Sequence, residues 1–175
     1  MTGRIADAHP GVSIELAAAS GAGMMTRRTG DIAAFIGHAV PEPLKGRACG
    51  TIAWAVYGGT PGGADDSSRW VGFDESLGRT AAAEWLRRNV AEAAISYRAD
   101  SLRVAAEAVR NRMGLGVLPM FLGEGRLERR QGPLEGLEAR LFIATHAPLH
   151  NVPRIRAFVE FVASRLASVL RMPEA

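Results

Sequence analysis

The sequence has one cysteine, Cys49, one lysine, Lys45, and an aromatic content of only 6% in 175 residues. A single cysteine excludes an internal disulfide and favours a reducing cytoplasm. No apolar run approaches the length of a membrane span. The opening MTGRIADAHPGV lacks the basic segment and apolar stretch of a signal peptide, so neither export nor a membrane partner is expected. Also missing is any concentration of positive charge. The 21 basic residues exceed the 18 acidic ones by only three and are dispersed in pairs such as Arg27-Arg28, Arg87-Arg88 and Arg129-Arg130. A nucleic-acid footprint would gather them on one face among aromatic platforms. With lysine nearly absent, the arginine, alanine and glycine bias reads as coding composition. No repeat, no low-complexity tract and no GxxxxGK[ST] phosphate loop is present.

What is there is ordinary globular material, 47% hydrophobic and 22% charged. That suffices for one domain with a sizeable core, or two small lobes. VSIELAA (12–18) alternates Val12, Ile14 and Leu16 in the period of a half-buried strand. MMTRRTG (24–30) reads as a short helical piece after Gly21 and Gly23. DIAAFIG (31–37) and TIAWAVY (51–57) are short, apolar and bounded by glycine or proline, the pattern of buried parallel strands. GGTPGGADDSSR (58–69) is the best linker candidate. WVGF (70–73) and AISYRA (94–99) read as strands, and TAAAEWLRRNVAEA (80–93) as a helix. Asp100-Ser101 offers capping oxygens for a helix with the stripe Leu102, Ala105, Ala106, Val109 and Met113. Gly114 stands where a helix end favours positive φ, and GVL before Pro119 is a very short buried strand. ARLFIAT (139–145) is another strand. Asn151, with Pro153 in the first turn, opens a terminal helix carrying Ile155, Phe158, Val159, Val162, Leu166, Val169 and Leu170. Strand and helix alternate throughout, so the fold class is α/β.

Catalytic signatures are sparse. GLG (114–116) lacks a third glycine and runs from helix to strand, the reverse of a dinucleotide fingerprint. Cys49 with His38 as base would make a thiol nucleophile, yet a cysteine beside an apolar run is more often a small buried hydrophobe. His146 and His150 stand four apart, but Pro148 breaks the helix that would bring both onto one metal; no metal and no cofactor are expected. Asp65-Asp66 and Glu75 read as solvated loop carboxylates. What remains is polar residues at strand ends: Ser20 and Gly21, Gly37, Asp100 and Ser101, and Thr145. In open α/β sheets ligands sit beyond the carboxyl ends of parallel strands, where helix N-termini offer N–H groups to anions.

SLRVAAEAVRNRMGLGVLPMFL followed by LFIATHAPLHNVPRIRAFVEFVASRL resembles the effector-binding region of LysR-type transcriptional regulators. HPGVSIEL, RRTGDIAAFIG and LKGRACGTIAWAVYGGTP resemble the same family in the same order, so the likeness spans essentially the whole chain. It implies a fold of two Rossmann-like lobes, like the type 2 periplasmic binding proteins, with lobe one at 1–52 plus 148–175 and lobe two at 53–147. The passages between lobes would fall near 50–56 and 144–149. It further implies a small effector, often a carboxylate, held in the cleft between lobes. Carried over position by position, the effector-binding candidates are Ser20, Gly21, Phe35, Ile36, Gly37, Asp100, Ser101, Pro119 and Thr145. Phe35 stands where related sequences often carry an arginine, which leaves an anion to Ser101 and backbone amides.

Ahead of HPGV the family carries a winged helix-turn-helix, a linker helix and the first strand of the effector region, none of which matches here. The resemblance thus implies DNA contact only through the missing winged helix-turn-helix. It also implies a lobe one without its first strand, open-edged, swapped with a second copy or of low stability. Homodimers are expected, packed side by side in antiparallel fashion, with SLRVAAEAVRNRM and the TRRTG segment as candidate surfaces. The expected function is an effector-sensing, non-enzymatic regulatory domain. The alternatives are a solute-binding protein of the same fold and a small thiol enzyme using Cys49 or His146.

Overall fold

The computed structural model describes residues 11, 13–17, 30–59 and 68–170. In chain order its elements are β1 (Ile32–Gly37), β2 (Leu44–Ile52), β3 (Trp54–Gly58), β4 (Trp70–Phe73), α1 (Ala81–Asn89), β5 (Ile95–Ala99), α2 (Leu102–Arg110), β6 (Leu115–Pro119), α3 (Met120–Gly123), β7 (Glu128–Gln131), β8 (Ala139–His146) and α4 (Pro153–Leu170). The chain divides into two compact units, Met1–Thr51 with Arg140–Ala175, and Ile52–Ala139. The second division thus falls just after the first residue of β8, between Ala139 and Arg140, whereas the sequence expectation set it after that strand, at 147/148.

Unit 1 is a three-stranded sheet in the order β1-β8-β2 with α4 packed on it. Alternation along β8 sends Ile143 to one face and Ala144 to the other. Ile143 packs with Cys49 and Ala163, joined by Ile32, Val159, Val162 and Leu166. Ala144 packs with Leu44, joined by Ala33, Phe35 and Val40. β1 is antiparallel to β8, Ile32 opposite Thr145 and Gly37 opposite Arg140, which corrects the expectation of a parallel strand. Its apolar composition reflects contact on both faces and says nothing of strand direction. The expected strand at 12–18 does not form over the described 13–17: these residues make no ladder and Leu16 is 75% exposed. Alternation supplies a strand only where a neighbouring edge accepts its hydrogen bonds. The segment 24–29 lies outside the described residues.

α4 opens at Pro153, with Arg156 N–H donating to the Val152 carbonyl at 3.0 Å, so Val152 rather than Asn151 holds the capping position. Proline fits the first helical position because its missing N–H would have no partner there. The whole of β2 upstream of Thr51 escaped the sequence reading because Lys45, Gly46 and Arg47 interrupt its apolar pattern. A Cβ on Gly46 would stand 2.3 Å from the Ile143 carbonyl oxygen, so only glycine fits where β2 lies against β8.

Unit 2 is a five-stranded sheet, order β5-β4-β6-β3-β7. β5, β4 and β6 are mutually parallel, whereas β3 is antiparallel to both β6 and β7. The 51–57 run therefore breaks at Ala53 into the end of β2 and an antiparallel β3. α2 buries Ala105 and Val109 against a core of Ala55, Tyr57, Val71, Ala99, Leu118, Met120 and Leu127. α1 buries Ala82, Ala83 and Leu86, and is capped by Thr80, whose hydroxyl accepts from Ala83 N–H at 3.2 Å. It stops at Asn89, with a 3-10 turn, Glu92–Ala94, finishing the expected helix.

The end of α2 differs from the glycine cap read from sequence. Met113 N–H reaches the Ala108 carbonyl and Arg112 N–H the Val109 carbonyl, and Arg112 itself takes the left-handed φ of +58°. This is a Schellman motif closed by a non-glycine residue. Gly114 also has positive φ, +153°, but its constraint is steric: a Cβ there would meet the Arg69 carbonyl at 2.8 Å. Gly116, inside β6, lies against Val109, so GLG serves packing and chain reversal.

Candidate functional site

In unit 2 the parallel run β5-β4-β6 brings three strand ends to one edge of the sheet, where Asp100, Ser101 and Pro119 lie. β5 ends at Ala99, and Asp100 and Ser101 follow. Ser101 adopts extended backbone (φ −147°, ψ 153°), and its hydroxyl accepts from Val104 N–H at 3.3 Å, capping α2. The N-terminus of this nine-residue helix carries free N–H character and the positive end of its dipole. Pro119 ends β6, fully buried, and the next amide, Met120 N–H, donates to the Ala53 carbonyl.

The sequence reading missed the middle strand. β4 lies between β5 and β6, and Phe73 stands opposite Ala99, so Asp74 follows β4 beside Asp100. Asp74 N–H donates to the Ala99 carbonyl at 3.1 Å. The Asp74 carboxylate accepts from Ser76 N–H at 2.9 Å and from the Ser76 hydroxyl. That hydroxyl also lies 3.1 Å from the Asp100 carbonyl, which ties the β4 turn to the β5 turn. The signal was available in Asp-Glu-Ser after a short apolar strand, the composition of a turn in which an aspartate side chain binds the backbone two residues on. Glu75, read as a solvated carboxylate, is exposed within this turn. The edge thus presents a hydroxyl and a helix N-terminus, which suit an acceptor, beside the carboxylates of Asp74 and Asp100, which suit a donor or a cation.

Trp54, at the start of β3, stands opposite Pro119 in the ladder. It is 3% exposed, and its indole N–H is buried without an acceptor. Sequence periodicity marked it only as an apolar strand residue.

The candidates in unit 1 are not brought together. Because β1 and β8 are antiparallel, the carboxyl end of one lies beside the amino end of the other. Thr145 therefore sits opposite Ile32, and Gly37 at the far end opposite Arg140, about 17 Å along the strand at 3.4 Å per residue. Phe35 stacks on Phe142, centroids 5.7 Å apart, and Ile36 stands opposite Leu141. Thr145 is 2% exposed, and its hydroxyl donates to the Asp31 carbonyl at 2.6 Å. Ser20 and Gly21 lie outside the described residues.

Cys49 is buried in unit 1. Burial pushes its thiol above the ordinary range, only partly opposed by Arg47 and a backbone hydrogen bond at Ile143. A thiol nucleophile needs the opposite shift. His38 ends up exposed just past β1, and β8 lies between β1 and β2. His146 and His150 flank the 3-10 turn Ala147–Leu149, and His146 Nε2 is buried without a partner. Among the described residues no helix is long and apolar enough to cross a membrane.

Solved structures share this fold across nearly the whole chain. The regulatory domain of CrgA, a LysR-type transcriptional regulator from Neisseria meningitidis, superposes with a TM-score of 0.71 at 17% identity, covering 94% of this chain and 89% of that one. The CcmR regulatory domain of Synechocystis, in complex with 2-PG, gives 0.69 at 17% identity, covering 99% and 90%. The reduced regulatory domain of OxyR2 from Vibrio vulnificus gives 0.65 at 14% identity, covering 97% and 87%. No curated protein sequence matches the chain. Residues 66–167 match the LysR substrate-binding domain. The chain therefore belongs to the LysR substrate-binding domain family, and is an effector-sensing regulatory domain of LysR-type regulators with the fold of the type 2 periplasmic binding proteins.

Proposed function

We propose that this chain senses a small polar effector through the strand-end edge of unit 2, with Ser101 and the N-terminus of α2 as donors and Asp74, Ser76 and Asp100 as the surrounding polar groups. The observation that carries the reading is the convergence of three parallel strand ends on one edge, tied together by the Ser76 hydroxyl. Such edges are where open α/β sheets bind ligands. The complex of the CcmR domain with 2-PG supports a small-molecule ligand for the fold. A carboxylate fits the helix N-terminus, and Asp74 and Asp100 favour one that also carries a donor group, such as an amino or hydroxy acid. Phe35–Gly37 and Thr145 remain effector candidates on unit 1, as do Ser20 and Gly21.

In this reading the domain is cytoplasmic, non-enzymatic and homodimeric. It acts on transcription through an attached winged helix-turn-helix. A buried, protonated Cys49 favours sensing over thiol chemistry, and Cys49→Ala should leave ligand binding intact.

The test is a thermal-shift screen against small carboxylates, aromatic acids, and amino- and hydroxy-acid metabolites, since a ligand that binds only the folded state raises its melting temperature. Ser101→Ala and Thr80→Ala each remove a helix cap, so both should lower the melting temperature. Only Ser101→Ala should also abolish the ligand-induced rise. Equal ligand response in the two variants would remove Ser101 from the site.

A further inference from the structure

Among the described residues of unit 2 three large hydrophobic side chains are exposed: Tyr97 at 37%, Val104 at 52% and Phe121 at 44%. Tyr97 lies within β5, whereas the other two stand where α2 and α3 begin. Val104 is the residue whose N–H the Ser101 hydroxyl accepts, and Phe121 follows Met120, the first amide past Pro119. Both helices thus start from the strand-end edge. They touch each other, and because α3 has only four residues the contact falls near that edge. Helical Cα–Cβ bonds tilt toward the N-terminus, so both side chains lean toward the edge. One exposed apolar side chain is ordinary. Two beside the donor end of α2, on helices that bury Ala105, Val109 and Met120, form a patch that a purely polar ligand would leave in water. At the same end of the sheet, opposite Pro119, the buried Trp54 indole N–H is a further donor left for a ligand acceptor.

We propose that the effector is an amino or hydroxy acid with a sizeable apolar side chain, aromatic or branched aliphatic, whose carboxylate takes Ser101 and the α2 N-terminus while its apolar group covers Val104 and Phe121. The inference rests on the effector reading of this edge and narrows it, from small polar acids in general to acids with an apolar body. The division of labour is physical. Charged and hydrogen-bonding groups fix the orientation of a ligand, and apolar surface withdrawn from water supplies affinity in proportion to its area. Asp74 and Asp100 remain beside the acid end for its amino or hydroxyl group, so the polar groups recognise what all such acids share and the patch selects among their side chains.

Titration calorimetry of the intact chain with glycine, leucine and phenylalanine, and with lactate and phenyllactate, tests this, because within each series only the side chain changes. Affinity should rise along both series, about fourfold for each methylene equivalent that becomes buried. Phe121→Ser and Val104→Ser should each flatten the rise, and Phe121→Leu should keep most of it. Tyr97→Ser, on the exposed residue away from the edge, should leave the rise as it is. All four positions changed are exposed or conservative, and equal melting temperatures without ligand exclude misfolding as the cause. Equal affinity for the short and long members would overturn the proposal and leave the acid site standing. A rise that survives both serine variants would overturn it too; if those variants instead weaken self-association, the patch belongs to a second copy. Binding of none of the five acids would overturn the site reading and this inference with it.

Discussion

Arg112 closes α2 in a conformation that glycine adopts freely and other residues do not. Arg112→Gly should therefore raise stability by about 0.5–1 kcal/mol, because relief of the left-handed penalty exceeds the extra chain entropy. Denaturant unfolding of the two proteins checks this, and a loss of stability would mean that the interactions of the Arg112 side chain outweigh the strain. Tyr57 is a second particular. It is fully buried, and its hydroxyl donates to Glu124 at 2.8 Å, with Arg129 3.4 Å from the same carboxylate. A Cβ on Gly123 would enter its ring. Burial, then the hydrogen bond and negative charge of Glu124, push the phenol well above its ordinary pKa. A group whose folded pKa is raised stabilises the fold below its unfolded value and loses that contribution as pH rises beyond it. Stability from this residue should thus hold up to about pH 10 and fall above it, as the unfolded phenol ionises. Tyr57→Phe should be less stable than wild type at neutral pH and lack that alkaline decline, measured as unfolding free energy against pH. None of these contacts was legible in the sequence: the periodicity of TIAWAVY placed Tyr57 on a strand, but its partner lies 67 residues away.

At the scale of the element, local signals were read well and pairings were not. Ser101 and Thr80 cap their helices because a side-chain oxygen two or three residues ahead of an apolar stripe can satisfy an orphan N–H, a rule that needs no tertiary information. Loss of either cap should cost about 1 kcal/mol, read by chemical denaturation of Ser101→Ala and Thr80→Ala. β4, β5, β6 and β8 were likewise visible as short apolar runs between turn residues. Direction was not, because composition does not distinguish a parallel strand from an antiparallel one contacted on both faces. That gap separated Thr145 from Phe35–Gly37: grouping them assumed parallel strands, and the antiparallel β1/β8 ladder sets them at opposite ends. β7 went unread because Glu128, Arg129 and Arg130 on a sheet edge look like a solvated charge run. In the same way Asp74 and Ser76 looked like loop until β4 stood between β5 and β6.

For the whole molecule, family likeness and sheet topology point the same way. Motifs spread along the sequence in one order indicated the family, and two compact units, each with its own sheet, carry its fold. Effector identity was not legible, because it rests on the orientation of a few side chains at an edge assembled from segments far apart in the chain. The most direct measurement is an amide NMR titration of the intact chain with a ligand found by thermal shift. The account predicts that perturbations concentrate in unit 2 on the amides of residues 74–76, 100–103 and Met120, together with the Trp54 indole N–H. Perturbations confined to the β7 edge or to α4, with residues 74–76 and 100–103 unmoved, would contradict it.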